Sequence, residues 1–266
     1  MSAPADLRPL LERLGLTSVE GAFAFEAGQE LSKPDLGHRR RTRVVLDDAP
    51  QGPVAVYLKR YEREPLPAAI RRVWTYGLAE GPAGVEARNI QQARQAGLTG
   101  IEALVWGQDG PPWRPMRGFL VISEVRGQSL ERNGAELAGR LDEPSVRQML
   151  TVKLAGLVAG LHRLGCVHRD LYACLIFADP ADPDRPPSLI DLARVFRPRW
   201  RLFRWQVKDL AQLKYSMPRA WVEACWDDFL RAYLKRRGGG DAGRYNRAVA
   251  RKVAVMARRA GRRETP

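Results

Sequence analysis

The sequence predicts an α+β fold of two lobes, the first β-rich and the second mainly helical. Three observations predict it. Short apolar runs broken by Pro, Gly and Asp turns dominate residues 22–122. Apolar residues at helical spacing dominate after residue 142. The 266 residues, 45% hydrophobic, can fill the core of one large domain or of two small lobes. Strands followed by helices, rather than alternating with them, point to α+β. The expected organisation is an N-terminal lobe over 1–122 with one main helix, a hinge over 123–130, a helical lobe over 131–237 and a basic helical tail over 238–266.

The elements follow in order. Leu7, Leu10, Leu11 and Leu14 mark a short amphipathic helix over 5–16, capped by Gly15. Val44-Val45-Leu46 and Val54 to Leu58 read as strands around the Asp47 to Pro53 turn. Residues 84–96 suit a helix closed by Gly97. Val105-Trp106 and Phe119 to Ile122 are further strands, joined by the Gly/Pro-rich stretch 107–118. Val146, Leu150, Leu154, Leu157 and Leu161 recur at helical spacing and stop at Gly165. Leu175-Ile176-Phe177 and Ser188-Leu189-Ile190 read as two strands around a Pro/Asp-rich turn. Trp221, Trp226, Phe229, Leu230 and Tyr233 mark a helix facing the core of the second lobe. Beyond Gly238-Gly239-Gly240, Tyr245, Val249, Val253 and Met256 form an apolar stripe, with Arg244, Arg247, Arg251 and Arg258 on another face.

Charge narrows the class of partner. The net charge is +14, and residues 231–266 hold twelve Lys/Arg against Asp241 and Glu264. Arg194, Arg197, Arg199, Arg201 and Arg204 form a second block without an acid. Such blocks favour polyanions, including anionic lipid. The basic C-terminal helix suits an anionic membrane surface, or else a plain solvated helix. No run reaches the length of a membrane-spanning helix. Met1 to Asp6 lacks signal-peptide character, and three cysteines do not suggest a disulfide framework, so a reducing cytoplasm is expected. Cys166, His168 and Cys174 do not have the spacing of a structural zinc site.

The chemistry concentrates in one segment. His168-Arg169-Asp170 follows the long helical pattern, and Asp191 follows the apolar Ser188-Leu189-Ile190. Helix, His-Arg-Asp loop, hairpin and aspartate occur in the order a phosphoryl-transfer enzyme uses. Asp170 is the candidate group that accepts the proton of an acceptor alcohol. Asp191 is the candidate Mg²⁺ ligand, since a hard divalent ion prefers carboxylate and phosphate oxygen. Lys59, ending a strand, can reach nucleotide phosphates as a point charge, and Glu86 on the next helix can pair with it.

A series of motifs carries a resemblance. It consists of Leu36-Gly37-His38-Arg39-Arg40-Arg41-Thr42-Arg43, Tyr57-Leu58-Lys59-Arg60-Tyr61, and Val121 to Leu130. It continues with His168-Arg169-Asp170-Leu171-Tyr172-Ala173-Cys174, Ile190 to Arg194, and Val207 to Ser216. Over roughly residues 30–235 the chain resembles the lipopolysaccharide core kinases, which include the Kdo and heptose kinases. The resemblance implies a protein-kinase-like fold that moves the γ-phosphate of ATP, with Mg²⁺, to a sugar hydroxyl of the lipopolysaccharide inner core. It gives Lys59 the phosphate-binding role, Glu86 its partner's, Asp170 the catalytic role and Asp191 the metal's. His168 and Arg169 belong to the catalytic loop. Asp209 braces that loop through backbone N–H groups, and Ser123 to Val125, Glu124 included, form the hinge against adenine. No Gly-x-Gly-x-x-Gly loop precedes Lys59; the Gly37 to Arg43 stretch replaces it, with Arg41 among the arginines that address phosphate. A glycolipid acceptor, a monomer, and a place in the cytoplasm or on the inner face of its membrane follow as expectations.

Leu175 departs from the pattern. Five residues past the catalytic aspartate, protein kinases carry an Asn metal ligand, and leucine has no metal-binding atom. A catalytically impaired kinase or scaffold therefore stays open, as does a kinase for another small alcohol or a protein. A nucleic-acid partner is disfavoured, because no recognised nucleic-acid motif accompanies the charge.

Overall fold

Side-chain alternation in three central strands sets up the first half of the molecule. The computed structural model describes residues 7–31, 39–50 and 52–264, the last three without their side chains. Leu36, Gly37 and His38 of the expected phosphate-binding stretch lie outside the described residues, as do Met1 to Asp6. The chain divides into two compact units: residues 1–94 with 101–124, and residues 95–100 with 125–266.

The first unit opens with helices α1 (Arg8–Arg13) and α2 (Val19–Ala24). Strands β1 (Gln29–Glu30), β2 (Arg39–Leu46) and β3 (Val54–Glu62) follow, then helices α3 (Leu66–Tyr76) and α4 (Pro82–Gln95), then β4 (Ala103–Asp109) and β5 (Arg117–Ser123). The strands form one antiparallel sheet in the order β1-β2-β3-β5-β4. Successive side chains point to opposite faces. One face carries Val44, Leu46, Val56, Leu58, Phe119 and Val121, packed with Leu11, Leu16 and Val19 from the first two helices. Val56, Leu58 and Val121 are fully buried, and each such side chain contributes on the order of 1.5–3 kcal/mol. The alternation therefore turns Lys59 and Tyr61 to the other face, where Glu86 of α4 meets them. The Ser18 hydroxyl accepts from the Gly21 N–H and caps α2. The sequence reading left both α2 and α3 unassigned. Its first helix, expected over 5–16, is α1 followed by a turn at Gly15 (φ +71°).

The second unit contains β6 (Gln128–Ser129), α5 (Leu130–Gly139), α6 (Pro144–Gln148), α7 (Leu154–Arg163), β7 (Ile176–Ala178), β8 (Ser188–Leu189), α8 (Leu202–Ser216), α9 (Arg219–Arg237) and α10 (Ala242–Glu264). A π-helical turn, Met149–Lys153, joins α6 to α7 where the periodicity predicts one helix. The expected hairpin is present: Ile176 pairs with Leu189 and Phe177 with Ser188. Leu175 itself lies in a 3₁₀ turn just before β7. Gly127 (φ +85°) has to be glycine, because a Cβ there would sit 2.3 Å from the Ala178 carbonyl oxygen. Trp221, Trp226, Phe229 and Tyr233 form a buried aromatic column on α9, with Trp221 against Phe229 edge-on at 5.6 Å.

Two boundaries differ from the sequence reading. Residues 95–100 belong to the second unit, not to the N-terminal lobe. The Leu189 N–H donates to the Leu98 carbonyl, the Thr99 hydroxyl donates to the Leu189 carbonyl, and Leu98 packs on Gly160. The basic helix α10 is not a separate tail. Its Tyr245 and Val249 are buried, the Tyr245 hydroxyl donates to Gln206 of α8 at 2.9 Å, and the helix lies along α8. Half of its apolar stripe thus lies within the unit.

Candidate active site

In the first unit, strand geometry brings the expected phosphate-binding groups together. Lys59 Nζ lies 2.5 Å from Glu86 Oε1, and both side chains are buried. The Tyr61 hydroxyl donates to the second Glu86 oxygen. A buried carboxylate needs such partners, since an unpaired one costs several kcal/mol, of order 3–5. Arg41 stands directly opposite Lys59 in the β2–β3 register, so the two cations share one face of the sheet. The expected adenine-facing residue Glu124 is placed at the end of β5. Its carboxylate accepts from the Tyr57 hydroxyl at 2.9 Å and from Arg43 Nε at 3.4 Å. Its own N–H donates to the Ala55 carbonyl. Burial raises the Tyr57 phenol pKa, and the Glu124 bond raises it further. Val125 begins the second unit and is half-buried.

In the second unit, one face of α8 braces the whole His-Arg-Asp loop. Asp209, fully buried, accepts from the N–H of His168 at 2.7 Å and of Arg169 at 2.8 Å. One turn on, Gln212 accepts from the Leu171 N–H, and Ser216 accepts from the Ala173 N–H at 2.8 Å. Positions 209, 212 and 216 recur at helical spacing, so they share a face. Behind Asp209 lies His162, with Nε2 at 3.3 Å from the carboxylate and Nδ1 at 2.8 Å from the Tyr233 hydroxyl. The tautomer protonated on Nε2 satisfies both neighbours. His168 is buried, and its Nε2–H donates to the Ile190 carbonyl at 3.0 Å, tying the loop to the segment that bears Asp191.

This bracing holds Arg169 at φ +73°. Its guanidinium lies over the Phe196 and Trp205 rings at 5.2 and 5.7 Å. Asp170 emerges next, with Arg194 Nη1 at 2.6 Å and Lys208 Nζ at 3.9 Å. Lys208 also donates to the Arg169 carbonyl. Burial lowers the Lys208 ammonium pKa, against the opposing pull of Asp170 and Asp209. Asp191 follows β8 in the left-handed region (φ +54°, ψ +61°), a conformation that is uncommon outside glycine. The Ile190 N–H donates to the Leu175 carbonyl at 3.0 Å, so Leu175 stands beside the Asp191 segment with an alkyl side chain.

A cleft of about 470 Å³ adjoins the loop. Its lining includes Arg169, Arg204, Trp205 and Lys208 together with Arg251 and Lys252 of α10, and no carboxylate among the described residues. Five cations with no carboxylate in that lining favour an anion.

The sequence reading missed Arg194, Lys208, Gln212, Ser216 and the His162–Tyr233 pair. The recurrence of Asp209, Gln212 and Ser216 on one helical face was a signal for two of them. Among the described residues no cluster of three or more His, Cys, Asp or Glu side chains forms a metal cage. Cys166, Cys174 and Cys225 form no disulfide with one another.

Sheet unit, helical unit and their order define a protein of the protein-kinase-like class. Residues 27–233 match the model of the "Lipopolysaccharide kinase (Kdo/WaaP) family", and the chain belongs to that family. It is 30% identical over 132 residues to the lipopolysaccharide core heptose(I) kinase WaaP of Pseudomonas aeruginosa. That match covers 48% of this chain and 49% of the relative, about half the length of each. A solved structure of WaaP in complex with acyl carrier protein shares the fold, with a TM-score of 0.64 and 24% identity over 96% of both chains.

Proposed function

We propose that this protein is an ATP-dependent kinase that phosphorylates a sugar hydroxyl of a lipopolysaccharide inner-core-like glycolipid. The observation that carries the reading is the Asp209-braced loop, which presents Asp170 beside two cations. The Asp170 carboxylate orients the acceptor hydroxyl and receives its proton as the new O–P bond forms and the bond from the γ-phosphorus to the β–γ bridging oxygen breaks. Lys59, held by Glu86, binds nucleotide phosphate, and Arg41 on the same strand face adds a second cation. Glu124 and Val125 adjoin adenine.

Mg²⁺, when bound with ATP, neutralises charge on the transferring phosphoryl group. The residues present fit that ion. Asp191 offers a hard carboxylate, and Mg²⁺ is commonly held by one or two carboxylates plus substrate phosphates rather than by an all-protein cage. Arg194 and Lys208 keep positive charge at Asp170.

The cationic cleft beside Asp170 supports an anionic acceptor over a neutral one. The relative's complex with acyl carrier protein makes a protein partner of that class a second candidate contact. No helix among the described residues is long and apolar enough to cross a membrane. We place the work on the inner face of the cytoplasmic membrane, with the protein peripheral.

Labelled γ-phosphate transfer tests the reading on three acceptors: a deep-rough lipopolysaccharide, an aminoglycoside and a generic protein substrate. Transfer to the first above the other two is expected. Transfer confined to another acceptor would replace the glycolipid, and no transfer to any of them would favour a scaffold.

A further inference from the structure

Helix α3 carries an apolar row that the fold leaves outside. Leu66, Ile70 and Trp74 recur at four-residue spacing and are 51%, 61% and 71% exposed, and Leu78, just past the end of the helix, is 61% exposed. Side chains four apart share a helix face. Trp113 and Met116 of the same unit are also exposed. The opposite face is firmly seated. Arg72 is buried and donates to Glu64 Oε2 at 2.7 Å, the Glu80 carbonyl at 2.5 Å and the Trp113 carbonyl at 2.8 Å. Contiguous exposed apolar surface of this kind marks an interaction site.

The charges around the row identify the occupant. Each nearby carboxylate is matched by an arginine: Glu62 by Arg40, Glu64 by Arg72 and Glu80 by Arg88. Arg63 and Arg71 are exposed and make no ion pair among the described residues. An apolar row with a central tryptophan and unmatched arginines is complementary to an anionic lipid interface, where indole rings settle at headgroup depth. A second copy of this chain, with its net +14, would repel the same surface. The basic helix α10 is the poorer lipid contact, because Tyr245 and Val249 already pack within the protein.

We propose that α3 seats this protein on an anionic phospholipid bilayer, with Ile70 and Trp74 entering the headgroup–acyl boundary. The proposal rests on the glycolipid reading only in that such an acceptor resides in a bilayer. Its test needs no turnover, so either idea can fail alone.

The full-length protein is sedimented with phosphatidylcholine vesicles containing about one-third phosphatidylglycerol. The Ile70→Ser/Trp74→Ser variant should lose at least about tenfold in partitioning while keeping the wild-type melting temperature and monodispersity. Brominated lipid should quench wild-type tryptophan emission more than that of Trp74→Phe. Four results would overturn the proposal: undiminished partitioning of the double variant, equal quenching of the two proteins, loss of binding on Arg251→Glu/Lys252→Glu alone, or a double variant that loses a dimer or an acyl-carrier-protein complex but keeps vesicle binding.

Discussion

Arg194 holds the carboxylate of Asp170, with Nη1 2.6 Å from Oδ2. A hydroxyl-positioning carboxylate needs a fixed direction, and this contact supplies one from three residues past Asp191, the expected metal-binding position. Half of the Arg194 side chain is exposed, so solvent screens the pair. Its value lies in geometry more than in stability.

Arg194→Met should therefore lower kcat about tenfold with little change in the KM for ATP. Arg194→Lys should recover part of the loss. Steady-state kinetics on both variants checks this. A raised KM for ATP at unchanged kcat would show that Arg194 serves the nucleotide instead.

Leu175 stands beside the Asp191 segment and brings no ligand there. Leu175→Asn places a carboxamide at that position, and half-saturation by Mg²⁺ should fall several-fold, with turnover raised. Metal titration of the rate checks it. An unchanged metal requirement, with turnover flat or lower, would show that the site works without a ligand from this position.

Asp209 satisfies two buried N–H donors at once. Asp209→Ala orphans both, which should cost about 2–5 kcal/mol in denaturant unfolding. Ser216→Ala removes the acceptor of the Ala173 N–H at the half-buried end of α8 and should cost about 1 kcal/mol. Equal effects of the two changes would contradict the central place given to Asp209.

Burial pushes the phenols of Tyr233 and Tyr245 up, and burial with the Glu124 bond pushes Tyr57 up. For a group whose folded pKa is raised, the stabilising contribution is complete below the unfolded value and is lost as pH rises through the folded one. Melting temperature should hold up to about pH 10, the ordinary tyrosine value, and fall above it. Ultraviolet titration should show Tyr233 ionising only as the protein unfolds. Tyr233→Phe should flatten the alkaline fall while removing the hydroxyl donated to His162. A decline as steep as that of the wild type would assign it elsewhere.

Much of the fold was legible because its signals are local. The β2 and β3 strands, the hairpin at Ile176 and Leu189, and the aromatic face of α9 announce themselves by periodicity. Helix α3 did not, because its apolar row faces outward and its buried face is held by Arg72, a residue that periodicity counts as surface. Motif order points to Lys59, Glu86, Asp170 and Asp191 as candidates, and Lys59 and Glu86 are paired. It does not point to Arg194 and Lys208, because their meaning lies in contacts with Asp170 across 24 and 38 positions of chain. The division at residues 95–100 was hidden for the same reason, since the Leu98 carbonyl and Thr99 hydroxyl bond to Leu189.

The central claim is that Asp170 carries phosphoryl transfer, and Asp170→Asn measures it most directly. The amide keeps the shape but cannot take the acceptor's proton. With labelled ATP, Mg²⁺ and a deep-rough lipopolysaccharide acceptor, the variant should bind ATP as the wild type does and transfer phosphate at least about 100-fold more slowly. Equal transfer by the two proteins, or none by either, would contradict the account.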